Sequence, residues 1–232
     1  MNDFFNPDNR FMRALSRLFD LMILNFFTLL LCIPIITAGA SITAMHSVLI
    51  QMAEDREGYI VRTFFAKFKE NFRQATLIWL IILAVIAVFF LDFRIVSFMT
   101  GITAQVLQSG LIVLMLVLLL VVQYIFPLTA RYENTIRGIF DSAVKLSIGF
   151  FPKSIAMVVI NAAVIVLGYR YLLHLLPILV MFGISGPGYL CAMLYMTIFH
   201  KIEPAKPENA GGEEDAGEGT FASPDQENNK EE

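Results

Sequence analysis

The stretch LLLCIPIITAGASITAMHSVLI, residues 29–50, decides the fold, because Pro34, Thr37 and Gly39 interrupt an apolar run there. The run covers residues 18–52, which is far too long for one membrane crossing of about 20 residues and short for two. Proline disfavours helix for the residue before it, glycine adopts backbone angles closed to other residues, and threonine can bond freed backbone groups. Two structures fit this pattern: one span with a kink, or two short helices joined as a hairpin.

The composition places most of the chain in a membrane. Of its 232 residues, 57% are hydrophobic and only 16% are charged, whereas soluble domains are about half apolar and a quarter charged. The bilayer core offers backbone groups no water, so long apolar runs there must be helices, and runs that do not alternate exclude a transmembrane barrel. We therefore expect an all-α, polytopic helical membrane protein whose membrane domain covers residues 1–200.

The positions of lysine and arginine choose between the two structures, because short cytoplasmic loops carry an excess of both. Basic residues cluster before residue 18 and in the connections 54–74 and 131–153, whereas the connection 92–110 holds one arginine. All basic clusters fall on one side only if residues 18–52 cross twice. The sequence predicts a multi-pass protein of the cell membrane with both termini cytoplasmic. Its six spans lie near residues 18–34, 37–53, 75–91, 111–130, 154–169 and 175–199, or number five if residues 18–52 cross once.

Residues 201–232 differ from the rest of the chain. They hold ten acidic residues against three lysines, a net charge of −7, whereas residues 1–200 hold fourteen basic and ten acidic residues. The segment is rich in Gly, Glu, Asn and Pro, so it cannot bury enough apolar surface to offset its chain entropy. We expect a disordered acidic cytoplasmic tail, which is either a solvated spacer or an interaction segment.

Two cytoplasmic connections are amphipathic. In YIVRTFFAKFKENFRQ, residues 59–74, phenylalanines recur every four residues among basic side chains, and residues 135–154 also show an apolar face. Basic, aromatic helices of this kind lie in the membrane interface, where anionic lipids attract them. We predict two cytoplasmic amphipathic helices. The first supplies the candidate interfacial or partner-binding residues Arg62, Phe64, Lys67, Phe68, Lys69, Phe72 and Arg73.

Polar side chains inside the bilayer are costly, so each is a candidate for function. The possible intramembrane polar site consists of Asn25, His46, Gln123 and Asn161. His46 can titrate or bridge helices, and the amides can join helices across the bundle.

The last apolar run contains a second predicted helix break, at Gly183, Gly186, Pro187 and Gly188. Interrupted spans in two halves of a chain point to transporter sites, although Gly and Pro also serve close helix packing. The sequence contains no Walker loop, no His-x-x-x-His metal pair and no plausible Ser–His–Asp set. We therefore expect no enzyme activity, no cofactor, no metal site and no nucleic-acid binding, and the oligomeric state stays open.

These residues make the chain similar to the YesL family, small integral membrane proteins of Gram-positive bacteria. The resemblance rests on Asn25, on the Pro34–x–x–Thr37–x–Gly39 break, and on FKENF and IFPLTARYEN, and it covers about residues 10–200. It implies a place in the cytoplasmic membrane and an association with carbohydrate ABC importers, because family members tend to be encoded beside such importers. It implies no biochemical activity.

Three functions remain open. In the first, the chain is a non-enzymatic accessory protein that contacts a partner such as a sugar ABC importer through residues 62–73. In the second, it is a small membrane carrier with a site between the broken helices one, two and six, near Thr37, His46 and Ser185. In the third, it is a lipid-facing scaffold with no cargo. The lipid bilayer is a partner in all three.

Overall fold

The computed structural model describes residues 10–55 and 58–202. Within these residues the chain forms eight α-helices and no β-strand, and a short 3-10 turn at Ile35–Thr37 joins the first two helices. The predicted acidic tail lies outside the described residues from residue 203 onward. The helices are α1 Arg10–Cys32, α2 Ala38–Ala53, α3 Ile60–Ser97, α4 Ile102–Arg131, α5 Ile136–Gly149, α6 Phe151–Arg170, α7 Leu172–Phe182 and α8 Ser185–Ile202.

Five helices are long and apolar enough to cross a membrane: α1, α2, α3, α4 and α6. A sixth span results if α7 and α8, which meet at a bend of 45°, count as one. These helices confirm the prediction of an all-α membrane protein with five or six spans.

The chain turns back on itself at Pro34. This residue is extended, with φ −75° and ψ 116°, and ends the path of α1. The Thr37 hydroxyl donates to the carbonyl oxygens of Leu31 at 2.6 Å and Pro34 at 3.0 Å, which satisfies groups freed by the turn. At the other end of the pair, Arg17 in α1 bonds Asp55, which follows α2. The first apolar run is therefore a helical hairpin and not a kinked single span.

Helix α2 lies at the centre of the bundle. Of its span 67% is buried, against at most 39% for the other four single spans. Small residues allow this: a Cβ on Gly39 would lie 2.3 Å from Cβ of Trp79 and 2.8 Å from the carbonyl oxygen of Ala75, both in α3. Gly188 of α8 contacts α2 in the same way, since a Cβ there would lie 2.9 Å from Leu49. Small residues let membrane helices approach at backbone distance.

Helix α3 is one continuous helix of 38 residues, about 57 Å long at 1.5 Å per residue. The basic, aromatic segment is helical as expected, but it is not a separate interfacial helix. It continues directly into the predicted third span, because residues 60–97 contain neither Gly nor Pro to interrupt it. The indole N–H of Trp79 donates to the Ile35 carbonyl at 2.7 Å, so the hairpin tip lies near the middle of α3.

Helix α5 is the second predicted amphipathic helix. Thr135 caps it by accepting from the Gly138 N–H at 3.3 Å. Its apolar face is divided: Ile139 and Leu146 are buried, whereas Ile148 is exposed.

Contacts between helix ends place most of the basic residues at one end of the bundle, here called the basic end. Arg17 bonds Asp55 there, and Arg131 bonds Glu54, so α1, α2 and α4 meet. The Gln74 amide also donates to the Asn134 carbonyl at 2.6 Å, which adds α3.

Candidate functional site

Asn25 fills the break between α7 and α8. Helix ends leave N–H and C=O groups without intrahelical partners, which is costly in hydrocarbon. The fully buried Asn25 amide donates to the Val180 carbonyl at 2.6 Å and lies 3.4 Å from the Leu179 carbonyl. Its side-chain oxygen accepts from the N–H groups of Ile184 and Ser185, each at 2.9 Å. One side chain of α1 thus forms hydrogen bonds with the backbone on both sides of the break between α7 and α8.

The second helix break lies at the first of the predicted residues. Helix α7 ends before Gly183 and α8 begins at Ser185, so Gly183 lies in the break, whereas Gly186, Pro187 and Gly188 lie within α8. Proline is tolerated in the first turn of a helix, because the N–H that it lacks has no partner there. Pro187 therefore helps to start α8 and does not interrupt it.

His46 links α2 to α8. Its Nδ1 lies 3.2 Å from the hydroxyl of Tyr195, and either atom can donate depending on the histidine tautomer. The Tyr195 ring is fully buried and packs on Phe199 with a centroid distance of 5.5 Å. The pair forms a buried hydrogen bond between two spans.

Asn161 joins three helices. Its amide donates to the Met157 carbonyl of its own helix at 3.0 Å and to Gln123 of α4 at 3.4 Å, and it lies 3.7 Å from the Cys191 sulfur of α8. The four predicted intramembrane polar residues therefore do not meet in one site. They form three separate contacts, and α8 takes part in each.

The residues proposed for a carrier site are bonded within the protein. The Thr37 hydroxyl bonds its own turn, His46 bonds Tyr195, and the Ser185 hydroxyl donates to the Leu21 carbonyl at 2.9 Å. A solute at these positions must replace existing hydrogen bonds, each of which is expensive to leave unmade in a dry environment.

Two arginines hold the C-terminal end of α2. Arg131 of α4 pairs with Glu54 at 2.6 Å, with side chains only 16% and 11% exposed, and its guanidinium lies 5.4 Å from the Phe199 ring centroid. Arg17 of α1 bonds Asp55 and donates to the Tyr189 hydroxyl at 3.0 Å. Pairing makes burial of such charges tolerable. The sequence signal was the adjacent acidic pair at the end of a span, which the topology argument did not use.

The predicted interfacial residues of α3 fall into two groups. Phe64 is fully buried and packs on Phe27 of α1 at 6.3 Å, so it belongs to the core, and Lys67 pairs with Glu70 at 2.9 Å. Phe65, which joins the predicted aromatic stripe, is instead 42% exposed. An open groove of about 670 Å³ is lined by Phe65, Phe68, Lys69, Glu70, Phe72 and Arg73, and the exposed Arg62 lies on the same helix. We call this the basic aromatic surface and define it as Arg62, Phe65, Phe68, Lys69, Phe72 and Arg73.

A second concavity, which the sequence did not predict, lies at the basic end between α4, α5 and the end of α8. Its volume is about 580 Å³, within the range of small-ligand pockets. We call it the α5 cavity. It is lined by Leu128, Tyr132, Ile139, Leu146, Phe150 and Phe199 together with the polar residues Glu133, Asn134, Ser142 and Lys145.

The part of the chain that the structure describes contains no candidate metal site. No three His, Cys, Asp or Glu side chains of that part lie close enough to hold an ion. Cys32 and Cys191 are both free thiols, and Cys191 is buried.

Comparison with known families gives a match to a model described as "Protein of unknown function, DUF624", over residues 21–93. The matched segment covers less than half of the chain. It contains Asn25, the hairpin turn and the basic aromatic surface. No curated protein and no solved structure matches the chain.

Proposed function

We propose that the chain is a non-enzymatic accessory protein of the cytoplasmic membrane, similar to YesL proteins, that binds a sugar ABC importer through the basic aromatic surface. The observation that carries the proposal is the arrangement of α3. Arg62, Lys69 and Arg73 are all exposed on this helix, and Lys69 and Arg73 line a groove together with three phenylalanine rings and Glu70. Arginine and aromatic side chains are the residue types enriched at protein interfaces.

The compartment is part of the proposal. The basic end faces the cytosol, because cytoplasmic loops carry the excess of Lys and Arg. The match to the DUF624 family supports the similarity to YesL proteins over residues 21–93. The absence of enzyme activity remains a proposal and rests on the sequence pattern alone.

Affinity purification in mild detergent tests the partner. The wild-type chain is expected to carry along importer permease subunits, identified by mass spectrometry. Changing Arg62, Lys69 and Arg73 together to Gln removes three exposed charges and is expected to lower their recovery by about tenfold, which corresponds to roughly 1.4 kcal/mol of binding.

The matched control changes three basic residues elsewhere at the basic end, Arg137, Lys153 and Lys201, to Gln. This variant loses the same charge and is expected to recover the partner as the wild type does. Equal recovery with the α3 variant contradicts the role of the basic aromatic surface, and recovery of no importer subunit by the wild type contradicts the partner.

The bent pair α7–α8 favours a second candidate, a small membrane carrier, because interrupted spans often form transport sites. Uptake of radiolabelled sugars into vesicles that contain the purified chain tests it. The accessory role predicts no uptake above that of empty vesicles. The carrier role predicts uptake that is lost when Asn25, which bonds both sides of the break, is changed to Leu.

A further inference from the structure

The α5 cavity is positioned where the chain leaves the described structure. Phe199 forms part of its wall, and the described residues end three positions later, at residue 202. Thirty residues follow, 203–232, which lie outside the described part. The question is therefore whether this continuation contains a segment that suits the cavity.

We propose that the α5 cavity binds the segment GTFASP of the chain's own tail, residues 219–224, with the ring of Phe221 placed against the apolar wall. This interaction is independent of the proposed importer binding. Phe221 is the one aromatic residue of the sequence after residue 202, and the residues around it are small or proline. It is thus the one side chain of the tail with a large apolar surface to bury.

The length of the connection allows this placement. Positions 202 and 221 are nineteen peptide units apart. A chain of that length, if it behaves as a random coil, has an end-to-end distance of roughly 24 Å. Helix α5, with 14 residues, is about 21 Å long, so the whole cavity lies within reach. Tethering also raises the effective concentration of the segment to the millimolar range, so weak contacts suffice.

The charges favour the tail over a neutral segment. Residues 203–232 carry ten acidic residues and two lysines, and acidic residues lie on both sides of Phe221. Lys145 lines the cavity, and Arg137 of α5 and Lys201 of α8 lie on two of the helices that form it. Two acidic residues reduce the attraction. Glu133 also lines the cavity and repels the acidic tail, and Asp141 partly neutralises Lys145, which it bonds at 2.5 Å. Because these charged groups are exposed to solvent, added salt will weaken the attraction between the cavity and the tail.

Photo-crosslinking of the full-length chain in native membranes tests the proposal. The photoreactive residue p-benzoylphenylalanine replaces Phe221 and keeps an aromatic ring at that position. Mass spectrometry is expected to find crosslinks within one chain to the cavity wall, on α5 or at Phe199. The control places the same residue at Asn209, which is expected to give at most one-tenth of this yield.

Competition keeps the test independent of folding defects. A synthetic peptide with the sequence GTFASPDQ, added in millimolar excess, is expected to reduce the Phe221-position crosslink several-fold, and the peptide GTAASPDQ is not. Within the cavity, the change Ser142→Trp fills space and is expected to abolish the crosslink.

Three results overturn the proposal. The first is a crosslink that joins two copies of the chain, which assigns the cavity to a second copy. The second is a crosslink to another protein or to lipid in place of the cavity wall. The third is equal competition by both peptides, which removes the role of the phenyl ring.

Discussion

Replacing Asn25 with Leu, which has a similar volume, is expected to destabilise the protein by about 2–5 kcal/mol. The change removes three short hydrogen bonds, of 2.6, 2.9 and 2.9 Å, and leaves one carbonyl and two N–H groups without partners at the break between α7 and α8. Hydrogen bonds between membrane helices contribute about 0.6 kcal/mol on average and up to about 1.7 kcal/mol. Three such hydrogen bonds give the expected loss of about 2–5 kcal/mol. Because Asn25 is fully buried, we expect a loss in the upper half of this range.

Thermal unfolding in detergent, followed by retention of soluble protein, measures the loss. For a domain of this size, each kcal/mol lowers the unfolding midpoint by roughly 2–4 °C, so a decrease of about 4–20 °C is expected. The matched control is Asn161→Leu. Asn161 is only partly buried, and its shortest bond, at 3.0 Å, goes to its own helix. If both variants unfold at the same temperature, the break between α7 and α8 does not depend on Asn25 and the reasoning fails.

Three further changes have defined outcomes. Gly39→Ala places a Cβ 2.3 Å from a side chain of α3 and is expected to cost about 1–3 kcal/mol in thermal melts, whereas Gly110→Ala, in open space, is expected to be neutral or stabilising. Glu54→Leu removes the carboxylate that pairs with the largely buried Arg131 and is expected to cost about 3 kcal/mol; adding Arg131→Met is expected to restore part of this stability, and no recovery in the double variant would argue against the pair. A cysteine at Lys67 is expected to resist a membrane-impermeant thiol reagent in intact cells and to react after permeabilisation, and modification in intact cells would reverse the proposed orientation.

The hairpin could be predicted because two independent signals agreed. Pro34 and Gly39 marked a break, and the basic clusters required an even number of crossings. The continuity of α3 was also present in the sequence, since no Gly or Pro lies between its ends, but the charges of residues 62–73 led to the prediction of a separate interfacial helix. Charged residues do not end a helix; they only end its apolar environment.

The contacts of the candidate sites could not be predicted. Asn25 is visibly out of place in an apolar run, yet its partners are backbone groups about 160 residues later in the chain. Any polar residue in a membrane helix signals a partner and gives no information about which one. The α5 cavity depends on how three helices pack, so a pattern within one helix does not disclose it. Pro187 misled the prediction because its effect depends on its position within the helix, which periodicity does not fix.

The continuity of α3 gives the molecule a rigid lever. The close contact of Gly39 with Ala75 acts as its pivot, with about 22 Å of helix toward residue 60 and about 33 Å toward residue 97. If a partner that grips the basic aromatic surface tilts the helix by about 10°, the near end moves by roughly 4 Å and the far end by roughly 6 Å in the opposite direction. A displacement imposed near residue 60 would therefore be enlarged by about half near residue 97, while the force transmitted to that end would be smaller.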